Sequence, residues 1–333
     1  MLCANLKEQK DKMKVLANDG ISAVGAEKLS AAGYTVITDT VAQEQLGAYI
    51  NENKVEILLV RSATKVRESL INECPGIKLI GRGGVGMDNI DVEYAQSKGV
   101  KVVNTPASSS DSVAEMVFAH LFGMVRFLHD SNRQMPLSGE SNFNKLKKAY
   151  SKGIELNGKT LGIIGFGRIG QAVARRAIGL GMNVIVGDLE LGKATKVELR
   201  FFNGNTMSFD FVNQPINDVI SQSDFISLHV PSAGKPIIGK KELELMKKGA
   251  FIVNAARGGV VDEVALIEAL HSGHIAGAGL DVFENEPTPA MTVLMNTKVS
   301  LSPHIGAATL EAQDRIGEEL ADLIVEAFGR ISA

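Results

Sequence analysis

Three side chains in the last third of the sequence have the types needed to move a hydride and a proton. Arg257 follows the apolar run Phe251-Ile252-Val253-Asn254-Ala255-Ala256 and precedes Gly258-Gly259. A guanidinium holds a carboxylate through two parallel hydrogen bonds and polarises a neighbouring carbonyl. Glu286 lies in Asp281-Val282-Phe283-Glu284-Asn285-Glu286-Pro287, and His304 lies in Ser302-Pro303-His304-Ile305-Gly306. Taking a hydride from a carbon makes the adjoining hydroxyl acidic, and histidine is the usual base for that proton near neutral pH. A carboxylate beside the ring would orient it.

Such chemistry needs a hydride acceptor, and the sequence carries a place for one. Gly165, Gly167 and Gly170 have the spacing G-x-G-x-x-G after the apolar run Thr160-Leu161-Gly162-Ile163-Ile164. The first glycine permits a tight turn, the second lets a pyrophosphate approach the backbone, and the third lets helix and strand pack closely. The following helix would point unpaired N–H groups at the anion. Asp188 closes the next strand, 18 residues past Gly170, where a carboxylate meets the ribose hydroxyls and repels a 2′-phosphate. The reading is a dinucleotide site that takes NAD.

A second run fits the same spacing at Gly81, Gly83 and Gly86. Its next strand ends in Asn104 rather than an acid, and Arg82 stands in the loop. The dinucleotide is therefore assigned to the 165–170 loop. The 81–86 loop is either a structural turn or an anion site made by Arg82 and backbone N–H groups. Arg61, at the end of the strand before it, could join such a site, because strand C-termini in parallel sheets point toward the ligand crevice.

The remaining histidines carry less. His229 precedes Val230-Pro231 at a strand end. His271 and His274 fall near a helix end and read as solvated or capping residues; without a third ligand their spacing is no metal site. His120 and His129 read as packing or interface residues on a long helix. Cys3 and Cys74 neighbour no candidate base, so thiol catalysis is not expected.

Short apolar runs alternate with amphipathic ones along the chain. Strands are expected at 15–17, 34–38, 56–60, 78–80 and 100–103, with helices between them, for example at 25–32 and 91–98. A second series follows at 160–164, 183–186, 224–228, 251–254, 278–282 and 299–301. Strands separated by helices imply parallel sheets covered on both faces, so the class is α/β with two such units. A long helix is expected over 111–128 and a last one over 309–328. The polar stretch 131–153, rich in Ser, Asn and Lys, reads as an irregular exposed excursion, or one packed on a partner subunit. Met13 to Leu16 looks like a domain start, with residues 1–12 a frayed extension.

With 333 residues, 45% of them hydrophobic and 22% charged, the chain suits a soluble protein of two domains. The net charge of −3 offers no basic field for nucleic acid. Two cysteines fit a reducing, cytoplasmic setting. The first 14 residues lack the apolar core of a secretory signal, and no apolar run reaches the ~18 residues that span a bilayer.

The glycine run with Asp188, Asn254-Ala255-Ala256-Arg257-Gly258-Gly259, Glu286-Pro287 and Ser302-Pro303-His304-Ile305-Gly306 resemble the D-isomer-specific 2-hydroxyacid dehydrogenase family, over almost the whole chain. The resemblance implies that Arg257 binds the substrate carboxylate, His304 is the acid/base and Glu286 is its partner. It places Arg168, Ile169, Val230, Ala255, Asp281 and Gly306 along the cofactor. It also implies two Rossmann-like or flavodoxin-like domains. The nucleotide domain, 106–304, is inserted into a substrate domain made of 1–105 and 305–333, with hinges whose closure excludes water.

Val60-Arg61-Ser62-Ala63-Thr64 and the 81–89 segment resemble members that act on a phosphorylated 2-hydroxy acid, with Arg61, Arg82, Gly83 and Gly84 at the substrate. Unphosphorylated acids such as glycerate, hydroxypyruvate, glyoxylate or lactate are the alternative. A dinucleotide-sensing binding protein, like the corepressors of one family branch, is a third reading. A homodimer or higher homo-oligomer through the 111–153 region is also implied. So is a form without the C-terminal regulatory domain of some members, since the sequence stops at Ala333. Three departures stand out: Leu189 where proline is frequent, valine at 85 and 230 where threonine is frequent, and a longer, more polar 193–212 stretch beside the adenine pocket.

Overall fold

The computed structural model describes residues 12–331. Cys3 and the 1–12 extension, except Lys12, lie outside these residues. The chain forms two compact units: the first ends at Ser109 and resumes at Ala308, and the second runs from Ser110 to Ala307.

The first unit contains β1 (Lys14–Ala17), α1 (Ala23–Ala31), β2 (Thr35–Ile37), α2 (Leu46–Asn53) and β3 (Ile57–Val60). It continues through α3 (Glu68–Glu73), β4 (Leu79–Arg82), α4 (Val92–Ser97) and β5 (Lys101–Asn104). The strands pair in parallel in the order β2-β1-β3-β4-β5. β3 is Ile-Leu-Leu-Val, buried at every position, as expected for a strand covered on both faces.

The second unit opens with α5 (Ser110–Val125) and α6 (Leu128–Ala149), then β6 (Thr160–Ile164), α7 (Arg168–Gly179), β7 (Asn183–Gly187), β8 (Ala194–Arg200) and β9 (Thr206–Val212). It goes on through α8 (Ile216–Gln222), β10 (Phe225–Leu228), α9 (Lys240–Leu245), β11 (Ala250–Asn254), α10 (Glu263–Ser272), β12 (Ile275–Leu280), α11 (Met291–Leu294) and β13 (Val299–Leu301). Its sheet is also parallel, in the order β13-β12-β11-β10-β6-β7. α12 (Leu310–Phe328) then returns to the first unit, where Thr309 caps it through Ala312 N–H. There it packs on α1 so closely that a Cβ on Gly25 would come 2.6 Å from Gly317 Cα.

The units change over at 109/110 and 307/308, a few residues beyond the 105 and 304 ends read from the sequence. Thr105 N–H still bonds Gly84 of the first unit, and the Ser108 hydroxyl bonds Glu319. Ile305 and Gly306 in turn bond Asp281 of the second.

Two expectations need correction. The 131–153 stretch is mostly helical: α6 accommodates Pro136 and bends at Asn142, whose φ of −127° is not helical. The Tyr150 hydroxyl consequently reaches back to donate to Asp130 Oδ2 at 2.7 Å, and its ring meets Phe127 at 5.9 Å. Ser, Asn and Pro read locally as loop, but these long-range contacts hold the two arms together. The long helix before it stops at Val125, because Phe127 turns left-handed at φ 54°. The 193–212 stretch forms the antiparallel hairpin β8–β9. Its Val197 is buried in the same core as Phe166 and α7, and Phe211 of β9 meets the Phe166 ring edge-on at 5.3 Å.

Candidate active site

β13, β12 and β11 are neighbours, so the segments that follow them emerge side by side. They carry His304, Glu286 and Arg257. A Cβ on Gly258 would come 1.8 Å from Phe283 O, so the turn after Arg257 lies against the loop that carries Glu286. Asn254 shapes that turn, with its amide donating to Arg257 O at 2.9 Å and its oxygen accepting from Ala256 N–H. The Arg257 Nη1 donates to Ala256 O at 2.7 Å.

His304 Nδ1 lies 2.7 Å from Glu286 Oε2, and Glu286 Oε1 accepts from Phe283 N–H at 3.0 Å. An ionised carboxylate only accepts, which assigns the proton to Nδ1 and leaves a lone pair on Nε2. His304 is held in the left-handed region at φ 55°. Beside the pair lies a cavity of about 370 Å³, walled by Phe283, Pro287, Leu294, Leu301 and Pro303.

The 165–170 loop fits a dinucleotide pyrophosphate. Gly165 sits at φ +91°, and a Cβ there would meet His229 O at 2.4 Å and Val230 Cγ1 at 2.9 Å. A Cβ on Gly170 would come 2.3 Å from Gly165 O. Around Gly167, by contrast, a Cβ would meet nothing within 4 Å. That open space lies at the start of α7, whose N-cap, Gly167, offers no side chain and whose first turn has no acid. Arg168 is exposed and Ile169 half-buried at the same place. Asp188 follows β7 and grips the loop: Oδ2 accepts from Phe166 N–H at 2.7 Å, and Oδ1 from Leu189 N–H at 2.7 Å. Val230 and Ala255 follow β10 and β11.

Asp281 and Gly306, read from the resemblance as cofactor contacts, meet beside His304. Asp281 is 2% exposed and its carboxylate is engaged by three donors, the Ser302 hydroxyl, Ile305 N–H and Gly306 N–H. The two residues bond each other under the His304 turn.

In the first unit, Val60 and Arg82 are partners in the β3–β4 register, so Arg61, Arg82, Gly83 and Gly84 are brought together. Gly83 N–H bonds Val60 O at 2.9 Å. Gly84, at φ +142°, leaves room for the Arg82 guanidinium against its backbone, since a Cβ would meet Nη1 at 1.8 Å. Burial lowers the Arg61 guanidinium pKa from its usual value, with Asp19 pulling the other way. Asp19 latches the following turn by accepting from Arg61 N–H, Thr64 N–H and the Thr64 hydroxyl at 2.6, 3.1 and 2.6 Å. The Asn89 amide closes it by donating to Arg61 O and Thr64 O. Sequence reasoning missed Asp19, although an acid in the Asn18-Asp19-Gly20 turn after a strand is the signal that revealed Asp188.

Cys74 is buried, which pushes its thiol up to about 11, away from nucleophilic use. Among the described residues no group of His, Cys, Asp and Glu could hold a metal ion, and no helix is long and apolar enough to cross a membrane.

Residues 118–306 match the family model described as D-isomer specific 2-hydroxyacid dehydrogenase, NAD binding domain. The chain belongs to the D-isomer-specific 2-hydroxyacid dehydrogenase family. The matched region is the NAD-binding domain of that family, and its cofactor is NAD. The chain is 41% identical over 314 residues to the D-3-phosphoglycerate dehydrogenase of Methanocaldococcus jannaschii, covering 94% of this chain and 57% of that one. It is equally 41% identical over 299 residues to the hydroxypyruvate reductase of Thermotoga maritima, covering 88% of this chain and 91% of that one. The chain thus spans little more than half of the first relative and nearly all of the second. Among solved structures, a glyoxylate reductase from Paecilomyes thermophila matches with a TM-score of 0.78 and 29% identity, over 97% of this chain and 98% of that one.

Proposed function

We propose that this dehydrogenase oxidises D-3-phosphoglycerate to 3-phosphohydroxypyruvate, the step that opens serine synthesis, and does so in the cytoplasm. The observation that carries the substrate is the pair of guanidinium groups, Arg61 and Arg82, at neighbouring strand ends. Two fixed cations suit a phosphate better than a hydroxymethyl group.

Arg257 anchors the substrate carboxylate and so orients C2. His304 Nε2 accepts the proton as the hydroxyl O–H bond breaks and the carbonyl forms. Glu286 keeps the ring in the tautomer that can accept it and stabilises the imidazolium that results. NAD, when bound, supplies the acceptor for the hydride that leaves C2 with its bonding electrons. In the reverse direction His304 returns the proton to the carbonyl oxygen. Asp188 favours NAD over its 2′-phosphorylated form.

A second reading, reduction of hydroxypyruvate or another unphosphorylated 2-oxo acid, is favoured by an identity to the Thermotoga maritima hydroxypyruvate reductase, 41%, as high as that to the phosphoglycerate dehydrogenase. Turnover of 3-phosphohydroxypyruvate and hydroxypyruvate by the Arg61→Ala/Arg82→Ala variant separates the two. A loss of about a hundredfold or more in kcat/KM confined to the phosphorylated substrate supports the first reading. Equal losses on both substrates count against it. The exposed Leu137 and Phe143 of α6 support a homodimer, which sedimentation of a monomer would refute.

A further inference from the structure

His120 lies buried in α5, far from the reacting atoms in sequence and unused by the mechanism above. Its ring is seated over Gly279 of β12, where a Cβ would come 2.7 Å from His120 Cβ. Both ring nitrogens are engaged: Nδ1 lies 2.9 Å from Ser300 Oγ, and Nε2 lies 2.9 Å from Ser302 Oγ. The Ser302 hydroxyl donates to Asp281 Oδ1 at 2.6 Å. Its proton is therefore spent, and its oxygen must accept from His120. That assigns the ring proton to Nε2 and makes Nδ1 the acceptor of the Ser300 hydroxyl. Every group in the chain is satisfied by this one arrangement, with a neutral ring.

Asp281 passes the arrangement on. Its Oδ1 also accepts from Ile305 N–H at 2.9 Å, and its Oδ2 from Gly306 N–H at 2.8 Å. These are the two peptide groups after His304, whose own N–H bonds Ser302 O at 3.1 Å. A left-handed backbone is costly for a residue with a side chain and persists only where its surroundings over-determine it. The surroundings here are Ser302 and Asp281.

We propose that His120 is a positioning residue for the reaction: through Ser302 and Asp281 it holds the left-handed turn that aims His304 at the substrate. The proposal rests on the reading of His304 as the acid/base. Burial lowers the His120 imidazole pKa, which keeps the ring in the neutral form the network requires.

The test uses His120→Asn, His120→Gln, Ser302→Ala and the His120→Asn/Ser302→Ala double variant. NADH-dependent reduction of 3-phosphohydroxypyruvate and of hydroxypyruvate is measured alongside NADH affinity and thermal unfolding. Gln places an amide donor where imidazole Nε2 stood; Asn is too short to reach Ser302. His120→Asn and Ser302→Ala should each lower kcat by about tenfold or more, because misplacing a catalytic group is costly even when it stays in place chemically. NADH affinity should stay within about twofold of the parent's, since the glycine loop is untouched. His120→Gln should recover most of kcat, and the double variant should be no slower than the slower single one.

Parental kcat in both single variants, or losses that multiply in the double variant, would overturn the proposal. If His120→Asn fails to fold, Ser302→Ala, which removes a single oxygen, carries the same comparison. His304→Gln is run in parallel. An inactive His304→Gln beside fully active His120 variants would sink the positioning role alone, whereas an active His304→Gln would remove the acid/base reading beneath it.

Discussion

The runs at 81–86 and 165–170 share a glycine spacing and an attachment to the C-terminal end of a parallel strand, yet they are built differently. In the second run the strand stops at Ile164, Gly165 turns at φ +91°, and α7 begins at Arg168. In the first, Gly81 is still inside β4, where a Cβ would come 2.6 Å from the Leu59 side chain and 3.2 Å from that of Leu320. No helix opens there; α4 starts only at Val92. The same three letters thus mark a helix-opening turn suited to a phosphate in one unit, and a packing glycine followed by an arginine turn in the other. What separates them is the acid at the next strand's end and the helix that follows. Asp188 grips Phe166 N–H, whereas the corresponding Asn104 donates to Val85 O.

The contrast can be broken by substitution. Gly165→Val should have the largest effect. It forces a β-branched residue to φ +91° against the His229 carbonyl, at a cost of about 3 kcal/mol or more in urea unfolding, with NAD binding lost. A variant of parental stability would mean that the turn is not what the backbone requires.

Acid should expose a second difference. His229, whose carbonyl abuts Gly165, has a ring nitrogen that is buried without a hydrogen-bond partner, and burial lowers its pKa to about 3. Its value in the unfolded chain is about 6.5, so between these limits the unfolded state binds more protons and stability rises with pH. Unfolding free energy should therefore fall as pH drops below about 6.5, by up to ~1.4 kcal/mol per pH unit from this group, and be insensitive to it above that. The pH dependence of urea midpoints in the parent and in His229→Phe checks this; matching slopes would dismiss His229 as the cause.

The gentlest pair sharpens the comparison most. Gly167→Ala meets open space, so it should leave the melting temperature unchanged and weaken NAD by about tenfold, or ~1.4 kcal/mol. Gly81→Ala should do the reverse, costing about 1–2 kcal/mol of stability through overpacking and leaving NAD affinity alone. Loss of NAD affinity in Gly81→Ala would reassign the cofactor loop.

Much of this molecule was legible before its structure. Strands such as Ile57–Val60 and Phe225–Leu228 read as short apolar runs because both their faces are buried. Arg257, Glu286 and His304 stood out because a polar residue after such a run lies at the edge where parallel sheets bind ligands. Other features were not legible for identifiable reasons. The helical form of 131–149 depends on Tyr150 meeting Asp130, and local composition argued against it. The β8–β9 hairpin was hidden because Phe211 packs on Phe166 of the glycine loop and Val197 joins the same core, rather than packing on a neighbouring run in sequence. His120 read as a packing residue because its partner Ser302 is 182 positions away.

The sequence by itself determined the alternation of strands and helices, the glycine run with its acid, and the side chains we propose as the reacting ones. These are local properties: the period of apolar residues, the spacing of glycines and the ionisable groups at strand ends. Only the tertiary structure decided how those groups are held. Glu286 fixes the tautomer of His304, Asp281 spends its charge on the turn beneath it, and Gly81 fills a core instead of facing a phosphate. Each of these depends on which distant atoms come within about 3 Å, a hydrogen-bonding or packing distance that no spacing along the chain specifies.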